Sequence, residues 1–336
     1  MQIAELSVLL VWGAATALTI ALVAFAIDLG RRTEERADAR AEARTPAAVG
    51  AGSRPTLAPA STLPATPPGD TGHGPARRRA AGIAMSTTWL GTALLLVAIV
   101  LRGIAAGRTP WANMYEFTLV GSFMALAVFL GMNVRKDFKF LGAFVTGLSV
   151  LFLVLGLNVF YVAAMGVQPA LQNYWLVIHV GVAISATGIF TVAFVASVLQ
   201  LFRDSRDSGS PYLQRPGFRW LDRVPTPTSL EALSFRLNAV GFVLWTFTII
   251  GGAIWAEHAW GRYWGWDPKE VWSFVIWVVY AAYLHARTTR GWDGRRAAWF
   301  VIVGYLCVLF NFTGVNLIFN GKHSYSGLNT DTTGGA

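Results

Sequence analysis

Charged side chains are scarce in this chain. Asp, Glu, Lys and Arg make up 13% of its 336 residues, whereas 54% are hydrophobic and the mean hydropathy is +0.48. Soluble globular domains carry about 25% charged residues, so this composition predicts an integral membrane protein. A formal charge of +9 would favour a nucleic-acid partner in a soluble chain. In a membrane chain the placement of the charges matters more than their sum, and we expect contact with lipid but not with nucleic acid.

Cysteine is almost absent. The one cysteine, Cys307, lies inside an apolar run, so the chain has no CxxC motif and no thiol pair to oxidise. Disulfide-stabilised folds and thiol–disulfide exchange are therefore excluded for this chain alone. Any thiol reduction connected with its function must belong to a partner.

Eight apolar segments are long enough to cross a bilayer as helices, which takes about 20 mostly apolar residues. They cover approximately residues 6–28, 83–104, 114–131, 139–160, 174–201, 235–254, 269–287 and 298–319. The first has the length of a signal peptide, but the acidic Glu5 precedes its apolar run and the basic Arg31 and Arg32 follow it. We therefore predict an uncleaved transmembrane anchor over residues 1–30.

The stretch 31–82 differs in kind from the rest of the chain. It consists largely of Ala, Pro, Gly, Thr and Arg without apolar periodicity, which predicts a disordered cytoplasmic linker in which His73 is merely solvated. A membrane domain is expected over residues 83–327, followed by a short flexible tail at 328–336.

The basic residues are distributed unevenly between the two sides of the predicted bundle. The linker and three further loops on its side hold 22 of the 27 Lys and Arg residues, and the alternate loops hold five. Because Lys and Arg favour cytoplasmic loops, both termini and the loop between the sixth and seventh helices are predicted to lie outside the cytoplasm.

Tryptophan is concentrated in that outer loop and its borders. Six of the fourteen tryptophans lie in the 23 residues from Trp255 to Trp277, which we call the Trp-rich segment. They are Trp255, Trp260, Trp264, Trp266, Trp272 and Trp277. An interfacial aromatic belt scatters one or two Trp over many helix ends, as the other eight do. The clustering instead predicts an external platform for a flat apolar ligand.

The start of the seventh helix follows a capping pattern. Asp267 suits the N-cap, Pro268 the first helical position, and Glu270 completes a capping box three residues after the cap. The turn from Gly261 to Gly265 should then gather the flanking indole rings into one surface.

Two histidines flank the Trp-rich segment on the predicted outer side. His179 lies near the outer end of the fifth segment, and His323 follows the eighth. Imidazole is the commonest protein ligand of metals, and haem iron accepts one axial ligand on each face. Two polar residues at the membrane interface are an equally open interpretation.

Two other histidines have less defined surroundings. His285 lies near the inner end of the seventh segment, where an ionisable group within a span suggests function, although an interfacial polar residue fits equally well. His258 is interpreted as a polar interface residue. In a smaller outer segment, Glu116 is placed to pair with Arg102 or Arg108.

Several motifs resemble one protein family. WGRYWGWDPKEVW closely resembles the tryptophan-rich WWD signature of the haem-handling proteins of cytochrome c maturation. YLHAR, NYWLVIH, WANMYE and the terminal KHSYSG are similar to the CcsA-type family of System II, called CcsB or ResC in some bacteria. The resemblance covers nearly all of residues 83–327 and leaves out the 31–82 linker.

The resemblance implies an all-α integral membrane protein of the bacterial plasma membrane, with about eight transmembrane helices. Together with a ResB-type membrane partner, such a protein moves haem b across the membrane and presents it, reduced, to the CxxCH thiols of apocytochrome c. A separate thiol-reducing system would keep those thiols reduced. This chain has no acid, base or nucleophile arrangement that would make the bonds alone, so whether it counts as an enzyme stays open.

The resemblance also assigns roles to residues. His179 and His323 become axial ligands of an external haem, and His285 a ligand at an inner site completed by the partner. The remaining residues expected to hold haem are Trp255, Trp260, Trp264, Trp266, Trp272 and Asp267. Cations for the haem propionates are sought among Arg262, Lys269 and Lys322.

Two other functions remain as alternatives. A System I haem-handling subunit shares the WWD segment but has about six helices, so eight spans and the KHSYSG tail favour the CcsA type. A b-haem electron-transfer protein needs histidine pairs on facing helices at similar depth, and His285 has no such mate in this chain.

Overall fold

The computed structural model describes residues 2–42, 75–166, 173–319 and 321–323. Over these residues the chain consists of helices joined by turns and loops, and contains no strand. The α-helices are α1 (Ile3–Glu42), α2 (Pro75–Ala106), α3 (Met114–Arg135), α4 (Gly142–Asn158), α5 (Tyr174–Asp207), α6 (Pro227–Trp260), α7 (Pro268–Thr289), α8 (Gly294–Phe312) and α9 (Gly314–Ile318). Two 3-10 helices, Lys139–Leu141 and Pro216–Arg223, precede α4 and α6.

Seven segments of the described residues are long and apolar enough to cross a membrane: α1 to α6, and α8 continued by α9. The prediction of a multi-pass, all-α membrane protein is therefore confirmed. The remaining predicted span, 269–287, does form a helix, but α7 is less apolar than these seven. The reason lies in its composition, because α7 has Lys269 and Glu270 in its first turn, His285 and Arg287 near its end, and Trp and Tyr between them.

The two ends of the predicted linker are helical. The α1 helix continues to Glu42, and α2 already begins at Pro75, which places residues 31–42 and 75–82 in helices. Both stretches are rich in Ala and Arg, which are strong helix formers, and extending an existing helix avoids the cost of nucleation. The remainder of the predicted linker, with His73, and the predicted tail lie outside the described residues.

Helix α5 is the centre of the bundle. It packs against α3, α6 and α8, while α1 packs along α2 and α4, and α7 packs against α8 and α6. The close approach of α3 to α5 depends on Gly188, where a Cβ would lie 2.7 Å from the Cβ of Met124. This arrangement brings the beginnings of α3, α5 and α7 and the ends of α6 and α8 to one end of the bundle, which we call the cavity end.

Candidate functional site

A cavity of about 190 Å³ lies at the cavity end of the bundle. One water molecule needs roughly 15 Å³ of such space, so the cavity has room for an organic ligand. Its walls are mainly aromatic and aliphatic, and both His179 and His323 line it. We refer to it as the two-histidine cavity.

Trp255 joins the two histidines. Its indole, only 1% exposed, lies parallel to the imidazole of His179, with 6.2 Å between ring centroids and an interplanar angle of 5°. The ring of His323 lies 5.6 Å from the same indole. Trp260 packs edge-on against both Trp255 and His323 at 4.8 Å. Residues of α5, α6 and the segment after α9 thus converge on one aromatic centre.

The imidazole of His179 is fixed by the backbone of α6. Its Nδ1 lies 2.8 Å from the carbonyl oxygen of Thr248. A carbonyl only accepts, so Nδ1 must carry the proton and Nε2 keeps its lone pair. Gly252 makes this contact possible, because a Cβ there would lie 2.7 Å from Cε1 of His179.

The predicted capping box at the start of α7 is confirmed. The side chain of Asp267 accepts the N–H of Lys269 at 3.0 Å, and the carboxylate of Glu270 accepts the N–H of Asp267 at 3.1 Å. Glu270 also accepts the N–H of Gly265 at 2.8 Å. The loop before α7 is therefore anchored to the first turn of the helix.

Asp267 also binds the segment that carries His323. Its Oδ1 lies 2.9 Å from Nδ1 of His323, and its Oδ2 accepts the N–H of Lys322 at 2.6 Å. Burial raises the pKa of Asp267, but the hydrogen bond with His323 and the backbone N–H groups of Lys269 and Lys322 outweigh it and lower the pKa to about 2. An ionised Asp267 only accepts, so His323 also carries its proton on Nδ1 and keeps the lone pair on Nε2.

The tryptophans predicted to hold the ligand occupy different positions. Trp255 and Trp264 line the cavity, and Trp260 packs beside His323. Trp266 is 74% exposed, has a positive φ of 57°, and meets only the edge of Trp264 within the described aromatic contacts. Trp272 does not line the cavity either, because its place on α7 turns it toward Phe310 of α8 at 4.4 Å.

Lys269 is the one candidate propionate cation that lines the cavity. Its Nζ donates to the carbonyl oxygen of Asn311 at 2.8 Å, and no carboxylate among the described residues forms an ion pair with it. The Nζ of Lys322 instead lies over the ring of Trp260 at 5.6 Å. Arg262 is packed against Gly265, outside the cavity lining.

The segment between α2 and α3 forms a wall that the sequence did not assign to the ligand. Residues 111–114 line the cavity, beginning with Trp111. Behind them, the carboxylate of Glu116 forms ion pairs with Nε of Arg102 at 2.9 Å and with Nη1 of Arg108 at 2.6 Å. The predicted pairing is therefore confirmed with both arginines. The signal was present in WANMYE, because Asn113 caps α3 through the N–H of Glu116 and so fixes the preceding residues. Trp245 and Tyr263 also line the cavity without having been singled out.

The other two histidines lie away from the cavity lining. His285 is exposed near the C-terminal end of α7, and its ring makes no hydrogen bond to a described residue. His258 is also exposed, with Nδ1 2.9 Å from the carbonyl oxygen of Ile254 and 3.2 Å from a carboxylate oxygen of Glu257. The structure thus brings His179 and His323 together and leaves His285 at a separate place.

Comparison with known proteins shows which protein family this chain resembles. The model of the family described as "Cytochrome C assembly protein" matches residues 111–323. A protein of Chlamydomonas reinhardtii described as cytochrome c biogenesis protein CcsA is 36% identical over 70% of this chain and 66% of its own length. Proteins of the same description from Prochlorococcus marinus and Guillardia theta are 34% and 33% identical, over 69% and 74% of this chain and 80% and 86% of their own.

A solved structure has the same fold. A chain described as cytochrome c haem lyase CcmF superimposes with a TM-score of 0.61 over 93% of this chain and 47% of its own length. At 15% identity the likeness extends to the fold alone.

Proposed function

Because the chain belongs to the cytochrome c assembly protein family, and within it to the CcsA type, we propose that the two-histidine cavity holds haem for attachment to apocytochrome c. The chain is the haem-handling subunit of a System II cytochrome c synthase. Haem is here the substrate that the chain carries, and haem b is the form proposed.

The observation that carries this proposal is the state of the two imidazoles. Each has its Nδ1 bonded to an acceptor, one to the carbonyl oxygen of Thr248 and one to Asp267, so each keeps an Nε2 lone pair for a metal. The described residues contain no group of three or more His, Cys, Asp or Glu that could hold a bare metal ion. Two imidazoles are too few for a bare ion but suit an iron whose macrocycle supplies the other four nitrogens.

The remaining walls suit the other parts of haem. Trp111, Trp264 and Phe117 offer aromatic surface to an apolar macrocycle. Lys269 brings a part-buried amine that forms no ion pair with a described carboxylate, and a haem propionate would place a negative charge beside it. An apolar ligand with two iron ligation sites and an anionic edge therefore matches the lining group by group.

The chain contributes to the reaction by holding the haem in a fixed position relative to the cysteine thiols. Each thioether forms when a cysteine S–H adds across a haem vinyl group, so no atom is lost and no leaving group needs protonation. Holding the iron from both faces fixes the vinyl groups relative to the incoming CxxCH thiols and excludes other ligands from the iron. Such fixed proximity is worth several orders of magnitude in effective concentration.

We assign His285 to a second, inner haem site shared with a ResB-type partner. It is exposed on α7, the least apolar of the long helices, and has no hydrogen-bonding partner for its ring among the described residues. An ionisable side chain at such a face is costly against lipid and is better satisfied by protein. The proposed route runs from this site, near the cytoplasmic side of the bacterial plasma membrane, to the external cavity.

The orientation rests on charge. The end of the bundle opposite the cavity carries most of the Lys and Arg, including Arg203 and Arg206 at the end of α5, and Arg287 at the end of α7. By the positive-inside rule that end faces the cytoplasm, and the cavity and both termini face outward. The cavity then faces apocytochrome c, and the system that reduces the thiols of apocytochrome c, on the outer side of the membrane.

Of the alternatives, a System I haem-handling subunit has only the fold-level likeness to CcmF in its favour. The CcsA relatives are more than twice as similar in sequence. A b-haem electron-transfer role needs a second histidine facing His285, and the described residues offer none.

The function is tested by cytochrome c maturation in cells whose own copy is deleted. His179→Ala and His323→Ala should abolish maturation and lower the haem bound to the purified complex, whereas His258→Ala, an exposed histidine outside the cavity, should change neither. Normal maturation and haem content in both cavity variants would refute the proposed site.

A further inference from the structure

We propose that Asp267 is a positioning residue, which ties the segment carrying His323 to the start of α7 and keeps the Nε2 of this imidazole available as a ligand. The inference rests on the proposed haem site and deepens it, because it assigns to the aspartate of the Trp-rich segment a role other than contact with haem. Asp267 does not line the cavity.

The carboxylate of Asp267 is held from several directions. Oδ1 accepts hydrogen bonds from the N–H of Lys269 and from Nδ1 of His323, and Oδ2 accepts one from the N–H of Lys322. Its own N–H is bound by Glu270. Since the side chain is only 5% exposed, water cannot readily replace these contacts. One buried carboxylate therefore joins the cap of α7 to a segment 55 and 56 residues farther along the chain.

The two histidines differ in how they are fixed. His179 belongs to α5 and is bonded to the backbone of α6, a contact that no side-chain replacement at position 248 removes. His323 follows the end of α9 at Ile318, outside any helix, and its described hydrogen bond is to Asp267 alone. Without that carboxylate, His323 would keep ring packing against Trp255 and Trp260 but lose the acceptor that selects its tautomer.

Gly321 gives independent support for a close junction. A Cβ at this position would collide with Oδ2 of Asp267 and lie 3.2 Å from Cδ of Pro268. The segment before His323 therefore reaches the carboxylate because residue 321 has no side chain.

The first experiment needs no haem. Amide deuterium exchange of the full-length, haem-free protein is measured for the peptide containing residues 321–323, in wild type and in Asp267→Ser. Serine still caps a helix but is too short to hold His323, so α7 should stay folded while exchange at Lys322 accelerates. Glu257→Ala is the matched control, because it removes a carboxylate from a histidine outside the cavity and should leave exchange unchanged.

The second experiment titrates the same proteins with haem. Loss of an outer-shell partner lowers metal affinity by about 10- to 100-fold, which is the loss expected for Asp267→Ser. Asp267→Asn keeps a neutral acceptor for Nδ1, so binding should largely recover, while the reduction potential of the bound haem rises because the imidazole becomes a weaker donor. Gly321→Ala leaves Asp267 and the helix cap in place and should reproduce the loss of haem affinity. If Asp267→Ser does not fold, Gly321→Ala still tests the positioning role.

The outcomes separate this inference from the proposed function. Unchanged exchange at Lys322 in Asp267→Ser, or unchanged haem affinity in a variant with accelerated exchange, overturns the positioning role. If the wild-type complex bound no haem, the proposed function would fall, while the exchange result would still decide whether Asp267 holds the segment.

Discussion

Replacing Glu116 with glutamine removes the charge that two arginines share behind the wall of the cavity. The carboxylate is fully buried, Arg102 is 1% exposed and Arg108 is 12% exposed. Glu116 accepts one hydrogen bond from Arg102, two from Arg108 and one from the N–H of Ala112. Both arginines also donate to carbonyl oxygens of the loop after α4, at Val162 and Met165.

The magnitude follows from burial. Removing one partner of a buried ion pair leaves an uncompensated charge and costs about 3–5 kcal/mol, whereas an exposed pair contributes at most about 1 kcal/mol. Glu116→Gln should therefore lower the unfolding free energy by about 3–5 kcal/mol. The matched control is Asp137→Asn, whose carboxylate is 59% exposed and lies 3.6 Å from Lys139. It should cost less than about 1 kcal/mol.

The assay is reversible unfolding of the detergent-solubilised protein, followed by circular dichroism, together with a haem titration. Haem affinity should fall with stability in Glu116→Gln, because the wall at residues 111–114 loses its support. Equal stability of Glu116→Gln and Asp137→Asn would refute the argument from burial. A large loss of stability with normal haem affinity would refute the role of the wall.

Three further predictions concern the ligand. Trp264→Ala should weaken haem binding by about tenfold, or about 1.4 kcal/mol, because it removes an indole that lines the cavity. Trp266→Ala removes an exposed indole and should leave the affinity close to wild type. A haem titration in which Trp266→Ala loses more affinity than Trp264→Ala would contradict the assignment of the cavity. Lys269→Met should weaken binding of haem but not of its dimethyl ester, and an equal loss for both ligands would exclude a propionate contact. His285→Ala should lower the haem recovered with the complex from cells, while added haem restores the spectrum of the outer site; failure of added haem to bind would place His285 in the same site as His179.

Part of the site could be predicted because its signals are local. The capping box at Asp267 and Glu270 depends on residues three positions apart, and the structure has it as expected. His179 and His323, which flank the Trp-rich segment in the sequence, both line the cavity. Glu116 lies within reach of its arginines because the turn between α2 and α3 is short.

Other features depend on packing and had no such signal. Whether a tryptophan of the Trp-rich segment lines the cavity is decided by the backbone of the turn and the rotation of α7. Trp266, with its positive φ, points outward, and Trp272 faces α8. The bond between Asp267 and His323 joins residues 56 apart and requires the chain to return past α7. The helical ends of the predicted linker had no signal in the sequence pattern, because low apolar periodicity says little about a helix that extends an existing one.

The central claim is that His179 and His323 bind one iron. Its most direct test is the optical spectrum of the purified complex with ferrous haem, in wild type and in His323→Gly, before and after addition of imidazole. The account predicts a low-spin spectrum for wild type, a loss of that spectrum in the variant, and its return when imidazole occupies the space left by the side chain. A low-spin spectrum that persists unchanged in both His323→Gly and His179→Gly would contradict it.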